Sequence, residues 1–371
     1  MSQAPLIIGG GPAGCAAAIL LARNGASPLV IDRDETPRDP LCGGFLSWRT
    51  LEQLRALGCD PHRIGGHGVT RLRLFTPHNA VELPLPHPAI GLSRHALDSC
   101  LRDIARQAGV RFACDTITRI SQTTAHGRTR DWAATSLFLA SGKHDVRGLS
   151  RARNSHDGAL GLRLRLPPTP ERGRMLSGAI ELHLFAGGYA GIVLQEDGWA
   201  NICLAVRKSA LGAATGSPRA LLDRLATTNE PFAQRIGDLD QAMAIESIGS
   251  VPYGFIARTT TRGLFRIGDQ AAVIPSLAGE GIGIALASGG LAAQRWLQGG
   301  SAAAEPFQRE FGAQASRPLR LAGLLWQLAE SPLAARIGVA GARIWPGLVA
   351  RIAEATRIEA SGLPCTRARP C

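Results

Sequence analysis

Six residues near the start of the chain, Gly9-Gly10-Gly11-Pro12-Ala13-Gly14, carry the spacing G-x-G-x-x-G. In a glycine-rich chain such a string arises easily by chance, so its flanks decide its meaning. The apolar run Pro5 to Gly9 leads into it, and Ala13 to Asn24 leads out as a helix stopped by Gly25. A second apolar run, Pro28 to Asp32, ends on an acid. This strand–turn–helix–strand order has the size of a βαβ unit. Its chemistry is the binding of a pyrophosphate. Gly9 permits a tight turn, Gly11 leaves room for phosphate against the backbone, and Gly14 lets helix and strand approach. Pro12 and Ala13 open the helix, where free N–H groups and the dipole favour negative charge. Asp32 is placed to accept both hydroxyls of an adenosine ribose, with Arg33 along the adenine.

The motif alone does not separate NAD from FAD, but a second element does. Leu264 to Gly268 is another short apolar run, closed by Asp269. It precedes Pro275-Ser-Leu-Ala-Gly279-Glu-Gly281-Ile282-Gly283 and a helix of small residues to Leu297. Together these segments resemble the FAD-dependent family of geranylgeranyl reductases, p-hydroxybenzoate hydroxylase-type monooxygenases and tryptophan halogenases. The resemblance implies that Asp269 binds the ribityl chain of FAD. It implies too that Gly279, Gly281 and Ile282 face the pyrimidine edge of the flavin. A helix N-terminus suits that edge, because reduced flavin is often anionic there.

Three more segments fit the resemblance. Ser93-Arg94-x-x-Leu97-Asp98-x-x-Leu101 is similar to the family's arginine-bearing helix, which would set the Arg94 fork on the FAD phosphates. The alternative is a solvated arginine on a helix. Cys42-Gly43-Gly44 resembles the geranylgeranyl reductase branch most closely, in a loop over the isoalloxazine, with Gly43 and Gly44 allowing close approach. Cys42 is then a proton donor, a thiol beside the flavin, or a small packing residue; the packing role is favoured. Phe185-Ala-Gly187-Gly188-Tyr189-Ala190-Gly191 resembles the segment that covers the substrate cavity, with Tyr189 as a candidate active-site residue. Gly191 and Leu194 depart from the archaeal Y-x-W-x-F-P string, and the halogenase W-x-W-x-I-P string is absent. Ser141 stands where the monooxygenases carry the Asp of their D-G motif, which counts against hydroxylase-type handling of NADPH.

Composition narrows the partners. The formal charge is +12, carried almost wholly by Arg; only Lys143 and Lys208 are Lys. The arginines are scattered and no nucleic-acid motif accompanies them, so nucleic acid is not an expected partner. Eight cysteines form no C-x-x-C pair, and nine histidines form no H-x-H or H-E-x-x-H, so no metal site is expected. Reduced thiols, no signal peptide and no 18-residue apolar stretch point to a cytoplasmic protein. From Arg317 to Arg369, eight arginines against three acids are interleaved with Leu, Ile, Trp326 and Trp345. Those helices either cap the cavity behind a solvated Arg face, the favoured reading, or rest on an anionic membrane and admit an apolar substrate. A polar, frayed tail is expected at the end.

The elements that position these residues follow from periodicity. Trp48 to Leu57 and Ser93 to Ala108 read as helices, the latter with Ser93 as its cap. Residues 69 to 85 alternate as strands do, and Ser136 to Ala140 is a short buried strand. Period-two alternation in Leu160–Leu166, Ile180–Leu184 and Trp199–Val206 predicts a largely antiparallel sheet. The expected fold is α/β: a Rossmann-like FAD domain of the GR2 type from residues 1–68, 93–150 and 250–300. A substrate domain is expected from 69–92 and 151–249, and a helical region from 301–371. The expected activity is FAD-dependent reduction of a carbon–carbon double bond in a small apolar isoprenoid, polyketide or pigment precursor, with NAD(P)H as a candidate electron donor. The alternatives are a monooxygenase for an aromatic or polyketide substrate and an electron-relay flavoprotein. The oligomeric state is not set by the sequence.

Overall fold

The computed structural model describes residues 4–122, 124–151, 157–237, 239–240 and 242–359. The expected tail, with Cys365 and Cys371, lies outside the described residues. In chain order the first half holds β1 (Leu6–Ile8), α1 (Pro12–Arg23), β2 (Leu29–Asp32), β3 (Phe45–Leu46) and α2 (Trp48–Leu57). It continues with β4 (His67–Phe75), β5 (Ala80–Gly91), α3 (Arg94–Gln107) and β6 (Arg111–Cys114). Then come β7 (Ile117–Ser121), β8 (Thr124–Gly127), β9 (Asp131–Ala133) and β10 (Leu137–Leu139). The second half holds β11 (Ala159–Leu166), α4 (Pro170–Leu176), β12 (Gly178–Phe185), β13 (Gly188–Leu194) and β14 (Ala200–Arg207). The helices α5 (Lys208–Gly212), α6 (Pro218–Thr228) and α7 (Glu230–Ile236) precede β15 (Glu246–Val251) and β16 (Leu264–Arg266). Four helices follow: α8 (Gly281–Gly299), α9 (Ala304–Glu330), α10 (Pro332–Ile344) and α11 (Pro346–Ala355).

A five-stranded parallel sheet, ordered β16-β10-β1-β2-β6, forms the dinucleotide-binding layer. Its central strands are buried on both faces, which is why they read as continuous apolar runs. α1 packs on this sheet and against α8. The contact with α8 is close, so that a side chain at Gly289 would collide with the Ala13 carbonyl, and α1 lies close on the turn after β1, so that one at Gly14 would collide with the Gly9 carbonyl. Apolar burial along α1 and α8, from Ala16 through Leu21 and Leu286 through Ala293, makes this the main core.

An eight-stranded sheet, ordered β15-β11-β14-β13-β12-β4-β5-β3, forms the second layer. Most neighbours are antiparallel, as the alternation predicts, but β4 and β12 run parallel. Parallel partners need a long crossover, and here the chain passes through β6 and β10 of the first sheet between them. The Phe185–Gly191 segment is the β12–β13 hairpin, and β13 lies inside the sheet rather than over it. α9, α10 and α11 then return across this sheet. A small three-stranded sheet, β7-β8-β9, completes the fold.

Candidate active site

One end of the site, at the glycine turn, is built from β1, α1 and α3. Gly9 has φ +107°, a conformation open to glycine, and any side chain there would strike the Ala140 carbonyl. Asp32 locks the turn. Its carboxylate accepts from the Gly10 N–H at 2.5 Å and the Asp34 N–H at 2.9 Å, and it pairs with Arg102 at 3.0 Å. Arg102 is buried and also donates to the carbonyls of Gly10 and Asp34. Sequence reasoning missed it, although Arg94, Asp98 and Arg102 share one face of α3 at helical spacing. Arg94 is no solvated arginine. Its fork holds Asp98 at 2.8 and 2.7 Å, and its Nη2 lies 3.3 Å from the position a Gly11 side chain would take. Burial works against its charge, but the Asp98 carboxylate outweighs that and holds its pKa raised. Gly11 precedes Pro12, the first residue of α1, and both line the cavity with Ala13. Arg33 is exposed beside Asp34.

Farther in, two loops face each other. One is Leu41 to Ser47. Buried Asn201 on β14 holds it, donating to the carbonyls of Cys42 at 3.1 Å and Gly43 at 2.9 Å, while Lys143 Nζ donates to the Leu41 carbonyl at 2.7 Å. Cys42 Sγ accepts from the Gly44 N–H at 3.5 Å and lines the cavity. A side chain on Gly43 would meet nothing within 4 Å, whereas Gly44 is packed under Gln195. The facing loop is Pro275 to Gly281. Gly279 lies against the Phe45 ring, and Gly281 opens α8 with free space beside it. Ile282 is buried and lines the same cavity. Glu280 is fully buried, accepting from Ser47 Oγ at 2.9 Å and Arg357 Nη1 at 2.7 Å. Asp269 lies at the cavity wall, and its carboxylate has no hydrogen-bond partner among the described residues.

One cavity of about 650 Å³ runs from Gly11 and Arg94 past both loops into an apolar tunnel. The tunnel walls are Leu72, Leu74, Leu182, Leu184, Val339 and Ala342, supplied by the large sheet and by α10. Tyr189 lies in this wall, buried against Trp326 with ring centroids 5.7 Å apart. Its hydroxyl donates to Ser276 Oγ at 2.8 Å, and the Tyr253 hydroxyl shares that oxygen at 2.7 Å. Burial pushes both phenols above the ordinary range. Cys203 is also in the wall, its thiol pushed up to about 12 by burial.

These features fit a flavin dinucleotide. The turn is free of side chains where a phosphate must sit, an unpaired carboxylate stands at mid-length, and an open helix start ends the path. Residues 3–153 match the FAD binding domain family. The chain is an FAD-dependent oxidoreductase. It is 28% identical over 319 residues to menaquinone reductase of Mycolicibacterium smegmatis, covering 80% of this chain and 76% of that one. It is 25% identical to digeranylgeranylglycerophospholipid reductase 2 of Methanopyrus kandleri, over 78% of this chain and 75% of that one. The structure of the flavin-dependent brominase Bmp2 superposes with a TM-score of 0.75 at 15% identity, over 98% of this chain and 96% of that one. At that identity the likeness is one of fold.

The cavity of the oxidoreductase is lined by Gly11, Pro12, Ala13, Gly43, Gly44, Arg94, Asp269, Gly279, Gly281 and Ile282, while Gly9, Gly14 and Asp32 build the turn beside it and Arg33 stays exposed outside it. Cys42 and Tyr189 line it as well. Arg102, Asn201, Ser276, Tyr253, Glu280 and Arg357 were not legible as site residues. Each acts through a contact made across the fold, and no local motif marks it.

Proposed function

We propose that this flavoprotein reduces a carbon–carbon double bond in the chain of an apolar isoprenoid. The observation that carries this is the tunnel. It continues the flavin path into a space walled by leucine, valine and alanine, an apolar lining suited to an alkyl chain. The relatives named as menaquinone and geranylgeranyl-lipid reductases support the same substrate class.

The residues divide the work. The α1 N-terminus and Arg94 hold the pyrophosphate, Asp32 the adenosine ribose and Asp269 the ribityl chain. The α8 N-terminus at Gly281 offers N–H groups to negative charge at the pyrimidine edge. Bound FAD supplies two electrons as hydride when reduced. The alkene π bond breaks, hydride adds to one carbon, and a proton from the protein adds to the other. Tyr189 is the favoured donor, because its proton can be replaced through Ser276 and Tyr253. Cys42, held by its loop and lying in the same wall, is the other candidate. NAD(P)H is the candidate source of electrons for reloading FAD.

The test is direct. The FAD-loaded protein is reduced without oxygen and given menaquinone or a geranylgeranyl lipid, and the product is weighed by mass spectrometry. Gain of two hydrogens located in the polyprenyl chain, and retained after any quinol has been reoxidised to quinone, supports the proposal. No change without oxygen, with gain of one oxygen atom when air is admitted, would assign the protein to the monooxygenases instead.

A further inference from the structure

The outer face of the C-terminal helices has the wrong polarity for water. α10 buries Ala335, Val339 and Ala342 on the side toward the cavity. On its opposite side stand Leu333, Ile337 and Ile344, which are 68, 64 and 67% exposed. Trp345 and Leu348, at the start of α11, are 61 and 54% exposed. Leu324 and Leu328 extend the patch onto α9. A surface helix normally shows one apolar stripe and one polar face; α10 is apolar on both.

Charge frames the patch. Arg336, Arg343 and Arg351 are exposed on α10 and α11, and none has an ion-pair partner among the described residues. The acid between them and the end of α11 is Glu354, which faces His87 at 3.6 Å. At helical spacing, Arg336 and Arg343 lie between the outer apolar stripe and the buried one. From there, long guanidinium side chains reach a headgroup layer while their stems cover apolar surface.

The patch is also the mouth of the tunnel. Leu328, Trp345 and Leu348 belong both to the exposed patch and to the cavity wall. No helix among the described residues is long and apolar enough to cross a membrane. We infer that α10 and α11 rest on an anionic lipid bilayer, and that the tunnel opens into it so that an apolar chain enters without passing through water. The gateway part rests on the proposed isoprenoid substrate; the docking does not.

Flotation of the full-length, FAD-loaded protein tests the docking. The vesicles are phosphatidylcholine alone, or phosphatidylcholine with about 30% phosphatidylglycerol. The protein is expected to float with the anionic vesicles and to be released by salt. The double variant Leu333→Glu, Ile337→Glu changes side chains outside the cavity wall. It should keep its flavin and melting temperature, yet lose roughly tenfold or more in partitioning. Arg336→Gln with Arg343→Gln should remove the preference for anionic vesicles. Equal partitioning of the native protein and the Leu333→Glu, Ile337→Glu variant overturns the inference. So does a dimer, seen by sedimentation, that this variant splits while vesicles bind neither form. Flotation without reduction of any polyprenyl chain would leave the docking standing and defeat the proposed reaction.

Discussion

Tyr189 and Tyr253, the two tyrosines of the chain, meet on one oxygen: their hydroxyls lie 2.8 and 2.7 Å from Ser276 Oγ. Ser276 lies in the loop that leads to Gly279 and α8, so this hydroxyl chain reaches the tunnel beside the Pro275–Gly281 loop.

If Tyr189 delivers the proton, Tyr189→Phe should lower turnover by about 10²-fold while substrate binding changes little. Tyr253→Phe should cost less, since the serine remains. Burial raises both phenols, so both stay protonated across the working range. The rate should therefore show no alkaline loss below pH ~10 that belongs to a tyrosine. A loss below that pH that vanishes in Tyr189→Phe would contradict the assignment.

Gly11 and Gly14 should separate binding from folding. A methyl group at Gly14 strikes the Gly9 carbonyl, so Gly14→Ala should lower the melting temperature of the apoprotein. At Gly11 the nearest atom is Arg94 Nη2 at 3.3 Å, the far end of a side chain. Gly11→Ala should therefore melt near the native temperature but bind FAD at least roughly tenfold more weakly, about 1.4 kcal/mol. Titration of apoprotein with FAD, followed by flavin fluorescence, reads the difference.

The Arg357–Glu280 pair ties the segment after α11 to the start of α8. Arg357 also donates to the Ala278 carbonyl at 2.8 Å and lies over the Trp48 ring. Arg357→Ala leaves a buried carboxylate short of its cation, an error that typically costs about 3–5 kcal/mol. Both the melting temperature and the FAD affinity should fall. Unchanged values for both would show that this pair holds nothing in place.

Acid should weaken the large sheet. Glu181 on β12 is fully buried and contacts Arg73, Arg235 and His183 at 2.8 to 3.1 Å. Burial raises its carboxyl, but the hydrogen bonds from His183 and Arg235 outweigh this and bring it down to about 2. A carboxyl depressed in the folded state stabilises above its unfolded value, near 4.5, and that stability is lost as pH falls toward 2. The contribution is on the order of 3 kcal/mol. Resistance to denaturant should fall over that window as the pH drops, and Glu181→Gln should flatten the dependence there.

What the sequence determined by itself was what local spacing encodes. The glycine turn with Asp32 behind it, the Ser93 cap on α3 with Ser93 Oγ accepting from the Ala96 N–H, and the small-residue helix from Gly281 are all satisfied within a few residues or one βαβ unit. Their reading needs no knowledge of distant partners. Period-two alternation likewise exposed β11, β12 and β14. It could not show that β4 pairs parallel with β12, because strand partners are chosen across the chain by which apolar faces can be buried together.

The tertiary structure alone decided which polar side chains serve the site. Asn201 alternates with apolar neighbours on β14, and only the fold brings its amide under Cys42 and Gly43. Arg102 looks like any helix arginine until α3 packs beside the Gly9–Gly14 turn. Ser276, Tyr189 and Tyr253 come from three separate segments and form a chain only where β13, the loop after β15 and the loop before α8 converge. The C-terminal helices show the same division. Their arginines and apolar residues are plain in the sequence. Which face is buried against the tunnel, leaving Leu333, Ile337 and Ile344 outside, is settled by packing, since each helix can bury only one side against the sheet.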